Sequence, residues 1–341
     1  MKATATIYTI AQALGVSAST VSRALNNHPS VRAELRAKID AEADRQGYRR
    51  NALAHALVAG RTRTVGLLLP DIRNPFFPEL AWAIDRAAGH AGFAVYLRNV
   101  VAAVEPERSA IDEMRTRCVD ALLVGGGTLH KTNQKRQHLL DIAAERPTIF
   151  LNSPPLGEGF GVRTDEAGGI ESAVRHLHDL GHRRIALVGG ELDLYPTQQR
   201  LEGFQRATAA LGLSGSDVFL RGWHLEAGSE AAAWLAVRPG VTAVVTMGDL
   251  IAFGLVQALR ERGVSVPEEV SVVGFDGIGL SRFINPALTT VQMPFAEIGE
   301  AAVRLLQQAL ERESQPREAV LPVVLTLGRS TGPAPRRARA G

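Results

Sequence analysis

The chain has 341 residues, 45% hydrophobic and 21% charged, with a formal net charge of +3. That length supports two or three domains with substantial cores, and the proportions are those of an ordinary globular chain. A single cysteine excludes an intramolecular disulfide and a cysteine-built metal cage, and no apolar run approaches the ~20 residues a membrane-spanning helix needs. The charge is unevenly placed. Residues 1–63 carry ten Lys/Arg against four Asp/Glu, residues 333–341 carry three Arg and no acid, and residues 64–332 carry 25 basic and 31 acidic residues. A basic head on an acidic body suits a head that meets phosphate while the body stays off it. The N-terminus has one Lys and no apolar core of a signal peptide, so the expected compartment is the cytoplasm.

The first elements lie in Thr9 to Asn26. Ile10, Ala11 and Leu14 fall at helical spacing and give a first helix one apolar face. Gly15 suits the left-handed residue that ends a helix, and Ser17 is placed to cap the next one. Val21 and Leu25 face back toward Leu14 and Val16. Ala18, Ser19, Ser22 and Arg23 are left on the outer surface of the second helix. This is a helix-turn-helix whose second helix fits a major groove. Arg23 has the fork that pairs with a guanine, and Ser19 bonds several bases; Thr20 and Asn26 are better placed to hold phosphates.

The segment resembles the LacI/GalR (lactose-repressor) family of bacterial transcription regulators. The resemblance rests on Thr6-Ile7-Tyr8-Thr9-Ile10-Ala11, Gly15-Val16-Ser17, Thr20-Val21-Ser22-Arg23, Leu25-Asn26, Gly47-Tyr48 and Asn51-Ala52-Leu53-Ala54, and it continues almost to the C-terminus. It implies a DNA-reading set of Ser17, Ala18, Ser19, Thr20, Ser22, Arg23, Asn26, Asn51 and Leu57. Thr9 departs from the Asp usual in the family at the start of the first helix, but a Thr also caps there.

Val31 to Gln46 reads as a third helix, with Val31, Leu35, Ile39 and Ala43 as its apolar stripe, Ser30 as N-cap and Gly47 as its stop. Asn51 to Ala59 is a nine-residue Ala/Leu-rich stretch, marginal as an isolated helix. In the family the matching segment is a hinge helix that folds when two copies pair over the operator's minor groove. By motif position Leu57 is the apolar wedge that unstacks a base step.

From Thr64 strands alternate with helices. The strands expected are Val65–Pro70, Ala94–Asn99, Ala121–Gly125, Thr148–Asn152, Gly161–Thr164, Arg184–Val188, Val218–Arg221, Ala243–Met247, Ser271–Phe275, Thr289–Gln292 and Val323–Leu327. Most are continuous apolar runs, which suits parallel strands buried on both faces. The fold class expected is α/β: an all-α headpiece (1–50), a hinge and linker (51–62), then a two-lobed, periplasmic-binding-protein-like, doubly wound effector domain (63–332) and a disordered basic tail (333–341). Lobe 1 is expected at about 63–163 plus 290–321 and lobe 2 at about 164–289 plus 322–332, with crossovers near Arg163, Thr289 and Pro322.

A ligand belongs in the cleft beyond the carboxyl ends of the strands. There Asp71 and Asn74 offer polar contacts, Phe76 and Phe77 offer stacking faces, and Asn152 and Asp249 follow further strands. The resemblance adds Arg200 as the family's effector-binding arginine, Trp223 as a pocket-wall aromatic and Asp276 as its effector-binding aspartate; Phe295 closes one side. Arginine, carboxylates, an amide and aromatics together suit a polyhydroxy ligand such as a sugar. Gly248 departs from the family's usual Asn, so no particular sugar preference transfers.

Other signals carry less. Gly125-Gly126-Gly127 is not a phosphate loop. His176, His178 and His182 are separated by the helix-breaking Gly181 and read as a helix-to-strand connection rather than a metal site. Cys118, beside an apolar run, reads as a buried thiol. No catalytic constellation or cofactor fingerprint is seen, so the expectation is no enzyme, no metal and no cofactor. A transport receptor or an α/β enzyme remains a competing class for the body alone. The reading is an effector-responsive transcription regulator, with repression as the default. It acts as a homodimer on a pseudo-palindromic operator; no leucine-heptad tail follows Leu327. A nucleoside or a sugar acid acting as corepressor is the alternative for the effector.

Overall fold

The computed structural model describes residues 5–25, 28–48, 61–100, 104–125, 133–213, 217–238, 240–311 and 317–335. The expected hinge helix with Asn51 and Leu57, as well as Asn26, Gly126, Gly127 and the tail from residue 336, lies outside the described residues. The chain divides into two units, residues 1–62 and 63–341.

In the first unit, α1 (Ile7–Leu14), α2 (Ala18–Leu25) and α3 (Ala33–Gln46) enclose Ile10, Ala11, Val21, Ala24, Leu25, Val31, Ile39 and Ala43. Thr6, not Thr9, is the N-cap of α1. Its side chain accepts from the Thr9 N–H while Thr9 Oγ1 accepts from the Thr6 N–H, a reciprocal pair that satisfies two of the helix's free donors. Thr9 Oγ1 also donates to Gln46 Oε1 at 2.6 Å, tying α1 to the end of α3. Gly15 and Gly47 end their helices at φ 63° and 65°, where a side chain would be strained. Ser30 does not cap α3, because its hydroxyl bonds His28 Nδ1 and the helix starts at Ala33.

The second unit holds two sheets. The first is built from β1 (Thr64–Leu69), β2 (Ala94–Asn99), β3 (Ala121–Val124), β4 (Thr148–Leu151), β5 (Phe160–Thr164) and β11 (Glu318–Leu321), in the order β2-β1-β3-β4-β5-β11, all parallel. The second is built from β6 (Ile185–Val188), β7 (Asp217–Phe219), β8 (Ala243–Thr246), β9 (Ser271–Asp276), β10 (Thr289–Gln292) and β12 (Val324–Thr326). Its order is β7-β6-β8-β9-β10-β12, with only β12 antiparallel. Both sheets therefore reverse winding direction after their first strand, between β1 and β3 and between β6 and β8. Those reversals open crevices at the strand carboxyl ends.

Helices α4 (Phe76–His90), α5 (Val104–Thr116), α6 (Asn133–Glu145), α7 (Glu166–Asp179), α8 (Tyr195–Ala210), α9 (Leu225–Ala236), α10 (Asp249–Glu261) and α11 (Phe295–Leu310) accompany the strands. Central strands such as β3, β6 and β8 are buried at every residue, as continuous apolar runs in a parallel sheet require. No helix among the described residues is long and apolar enough to cross a membrane.

The chain passes between sheets after β5, after β10 and between β11 and β12. Residues 290–292 thus stand in the second sheet rather than the first lobe. Thr289 to Gln292 align in parallel with Val273 to Asp276, and this pairing holds the strand until Gln292. Strand β11 was not expected. Cys118 is exposed rather than buried: it sits at φ 54° in the turn after α5, where its Sγ lies 3.8 Å from the Thr116 carbonyl oxygen.

Candidate functional site

The headpiece surface is set by what its core leaves outside. With Val21, Ala24 and Leu25 buried, Ser17, Ser19 and Arg23 are exposed and Ala18, Thr20 and Ser22 half-buried. Ser17 Oγ accepts from the Thr20 N–H at 3.1 Å and meets the Ser19 and Thr20 hydroxyls at 2.8 Å. The cap thus fixes the first turn of α2 and gathers three hydroxyls there. Arg23 stands in the last turn of the helix with no carboxylate partner among the described residues. Tyr8, 71% exposed, adds an aromatic surface from α1.

In the body the sharpest constellation lies at the carboxyl ends of the second sheet. Arg200, on α8, is almost fully buried. Its Nε donates to Glu166 Oε2 at 2.6 Å, its Nη1 to the Met247 carbonyl, and its Nη2 to Asp276 Oδ1 at 3.5 Å. The guanidinium carbon lies 3.7 Å from the centroid of the Phe275 ring and 5.1 Å from that of Trp223, within cation–π range of both. Asp276 ends β9 at φ 106°, a strained conformation for a residue with a side chain. Burial pushes its carboxyl well above the usual range; the Arg200 charge opposes this, and Asp249 and Glu166 add to it. The Trp223 indole N–H is buried with no hydrogen-bond acceptor among the described residues. Gly248 is extended, and a Cβ there would lie 3.3 Å from Asp276 Oδ2 and 3.8 Å from the Trp223 ring.

Arg200, Trp223 and Asp276 are therefore brought together. Asp249 is close but turned to another task. Fully buried, it accepts from the Ile278 N–H at 2.9 Å and the Ser281 hydroxyl at 2.5 Å through Oδ2, and from the Thr290 hydroxyl at 2.5 Å through Oδ1. Oδ2 thus holds the loop that follows Asp276, and Oδ1 ties α10 to β10. Burial pushes the Asp249 carboxyl up to about 6 against these hydrogen bonds.

The first-lobe residues form a separate group. Asp71 accepts from the Arg73 N–H and guanidinium at 2.8–3.2 Å, and Asn74 Oδ1 accepts from the Phe76 N–H. Both polar side chains thus shape their own loop after β1. Phe76 is buried against Phe77 and Phe295, with ring centroids 5.1 and 5.4 Å away. Asn152 is buried at φ 55° just past β4.

Glu166 was not foreseen. It reads locally as an acid in the first turn of a helix, and its partner is 34 residues away. Of the histidines, His182 is bonded to the Thr242 and Ser271 hydroxyls and the Gly332 carbonyl, and His176 to Thr331.

Comparisons with known proteins match both units. Residues 6–51 match the model of bacterial regulatory proteins of the lacI family, and residues 174–331 that of the periplasmic binding protein-like domain. The HTH-type transcriptional regulator DegA of Bacillus subtilis is 32% identical over 334 residues, covering 96% of this chain and 98% of its own length. The lac repressor dimer bound to operator and the anti-inducer ONPF superposes with a TM-score of 0.86 at 25% identity, over 97% of this chain and all of that one. A LacI family transcriptional regulator from Enterococcus faecium with bound ribose gives 0.71 at 31% identity, over 79% of this chain and 99% of that one. Helix-turn-helix headpiece and two-sheet body occur here on one chain, in the order and over the length of these regulators, and the chain belongs to the lacI family of bacterial DNA-binding transcriptional regulators.

Proposed function

We propose that this chain is a repressor whose hold on a pseudo-palindromic operator is set by a small polyhydroxy ligand bound at Arg200, Trp223 and Asp276. The observation that carries this reading is the buried Arg200, fixed between Glu166 and Asp276 at the strand ends beside an indole N–H that lacks an acceptor among the described residues. Such a site offers donors, acceptors and an aromatic face at once, the set a polyol needs. The Enterococcus faecium relative with bound ribose supports a sugar. Asp71, Asn74, Phe76, Phe77 and Asn152 serve as the opposing first-lobe wall. The aromatic cluster of Phe76, Phe77 and Phe295 favours the second reading, a nucleoside whose base stacks there.

On the DNA side, Arg23, Ser19 and Ser22 read base edges while Ser17, Ala18 and Thr20 fit the helix against the backbone; Asn26, Asn51 and Leu57 complete the set by motif position. Two copies act together. Glu79 and Trp82 share one face of α4. Glu79 Oε1 accepts from the Gly279 N–H at 2.6 Å, beside exposed Leu280 and Phe283, so Trp82, Leu280 and Phe283 supply apolar surface for a homodimer. The coupling is allosteric: two sites, two states and reciprocal effects. Nothing in this mechanism turns over a substrate, and it belongs to the cytoplasm, where operators are. The test is a thermal-shift panel of sugars, sugar acids, sugar phosphates and nucleosides, followed by operator binding with each hit. A hit that changes operator affinity and is lost in Asp276→Ala supports the reading; hits that survive that change refute the site.

A further inference from the structure

The molecule also buries a His138–Glu107 pair between α5 and α6, links Glu79 to the Gly279 N–H, and sets Glu166 against Arg200. The last reaches furthest. We infer that Glu166 is a specificity residue that closes the Arg200 pocket to anionic effectors, an inference that rests on the reading of that pocket as the effector site.

An arginine in a ligand pocket ordinarily invites a carboxylate or phosphate, which its planar fork grips with two parallel bonds. Here the fork is already engaged. Glu166 takes Nε, the Met247 carbonyl takes Nη1, Asp276 takes Nη2, and the rings of Phe275 and Trp223 lie within cation–π range. Glu166 is 2% exposed, so its charge is poorly screened by water. Two buried carboxylates, Glu166 and Asp276, already flank the one guanidinium. Arg163, three residues before Glu166, does not redress this, since it pairs with Glu318 at 2.6 Å. Helix N-termini are a second route to anion binding. However, Asp165 caps α7 through the Gly168 N–H, and α7 and α10 carry Glu166 and Asp249 in their first turns, so acidic side chains already stand at both N-termini.

A neutral diol meets no such barrier. One hydroxyl donates to a carboxylate oxygen while its own oxygen accepts from a remaining guanidinium N–H. A carboxylate or phosphate in the same place brings like charge within a few ångströms of Glu166, whose own charge already offsets that of Arg200, so the neutral ligand is favoured by about tenfold or more.

The experiment is isothermal titration of the full-length chain with matched pairs: D-glucose with D-glucuronate, and D-ribose with D-ribose 5-phosphate. Wild type, Glu166→Gln and Glu166→Asp are compared, with melting curves to establish folding. The expected result is that wild type prefers the neutral member of the pair it binds by about tenfold or more. Glu166→Gln then narrows that preference about tenfold, and Glu166→Asp, which keeps the charge, retains it. Wild type binding the anionic member as tightly as the neutral one overturns the proposal and leaves the effector site standing, as does a folded Glu166→Gln with an unchanged ratio. If Glu166→Gln does not fold, the wild-type and Glu166→Asp ratios decide. Wild type binding no member of either pair overturns the proposal, and the effector-site reading is then decided by the thermal-shift panel alone.

Discussion

Asp249 carries the most exacting prediction. It is fully buried and accepts three hydrogen bonds, two from hydroxyls and one from the Ile278 N–H. In Asp249→Ala the hydroxyls of Ser281 and Thr290 can rotate toward other acceptors, but the Ile278 amide cannot. An orphaned buried amide costs about 1–3 kcal/mol, and the two weakened hydroxyl bonds add about 1 kcal/mol. The expected loss is about 3 kcal/mol, large beside the total stability of an ordinary domain. Asp249→Asn keeps one acceptor oxygen and turns its NH2 toward hydroxyls able to accept, so its loss should be about 1 kcal/mol. The pH dependence adds a second readout. The folded carboxyl titrates near 6 and an unfolded one near 4. Between those values the folded chain binds the proton more tightly, so this group's contribution to stability falls as pH rises through the window. Urea unfolding of wild type and both variants at pH 4.5 and 7.5 checks the claim. The wild-type advantage over Asp249→Asn should be larger at pH 4.5. An Ala variant within about 0.5 kcal/mol of wild type, the range of an ordinary surface change, or a gap that widens as pH rises, would refute the structural role assigned to this carboxylate.

Arg23→Ala should lower specific operator affinity by about 1–3 kcal/mol or more while leaving ligand affinity within a few-fold; unchanged operator binding in a fluorescence anisotropy titration excludes Arg23 from base reading. Gly248→Asn should fold with little loss, because the backbone is extended and a Cβ there needs only tenths of an ångström from Asp276; it should change the rank order of ligands in a thermal-shift panel, and an identical order would show that residue 248 does not face the ligand. His182 is fully buried and burial lowers its pKa, so the folded chain binds its proton less tightly than the unfolded chain. Its contribution is therefore present above the ordinary histidine value and lost as pH falls below it. The stability gap between wild type and His182→Asn should shrink from pH 7.5 to 5.5, and a gap that grows would contradict the neutral, hydrogen-bonded state.

The headpiece was legible because its information is local. Ile10, Val21 and Leu25 lie within two helices, and Gly15 marks the turn between them. The alternation of strands and helices was legible for a similar reason: buried parallel strands are apolar runs. Features that depend on distant partners were not. Strand β11 is four residues, Glu-Ala-Val-Leu, all at least partly exposed at a sheet edge, so it carries no continuous apolar signal. The position of the second crossover depends on how far β10 follows β9, which no residue near Thr289 announces. Asp249 was placed correctly at a strand end, but whether its oxygens face a ligand or the chain's own loop depends on Ile278, Ser281 and Thr290. Glu166 is ordinary as a helix-opening acid and becomes informative only once Arg200 is beside it.

The three passages between the sheets also bear on how the chain is made. Neither sheet is encoded by one continuous stretch. Strand β5 needs β11 to cover its edge, and β11 follows about 150 residues later. At about 5–20 residues per second, a ribosome delivers it roughly 8–30 s after β5 has emerged. Throughout that interval the nascent first sheet ends on an unpaired parallel edge, the kind of surface that recruits foreign strands. Most of the second sheet's strands emerge in the meantime, so the order of synthesis, and not only the final packing, presses this body to complete both lobes together.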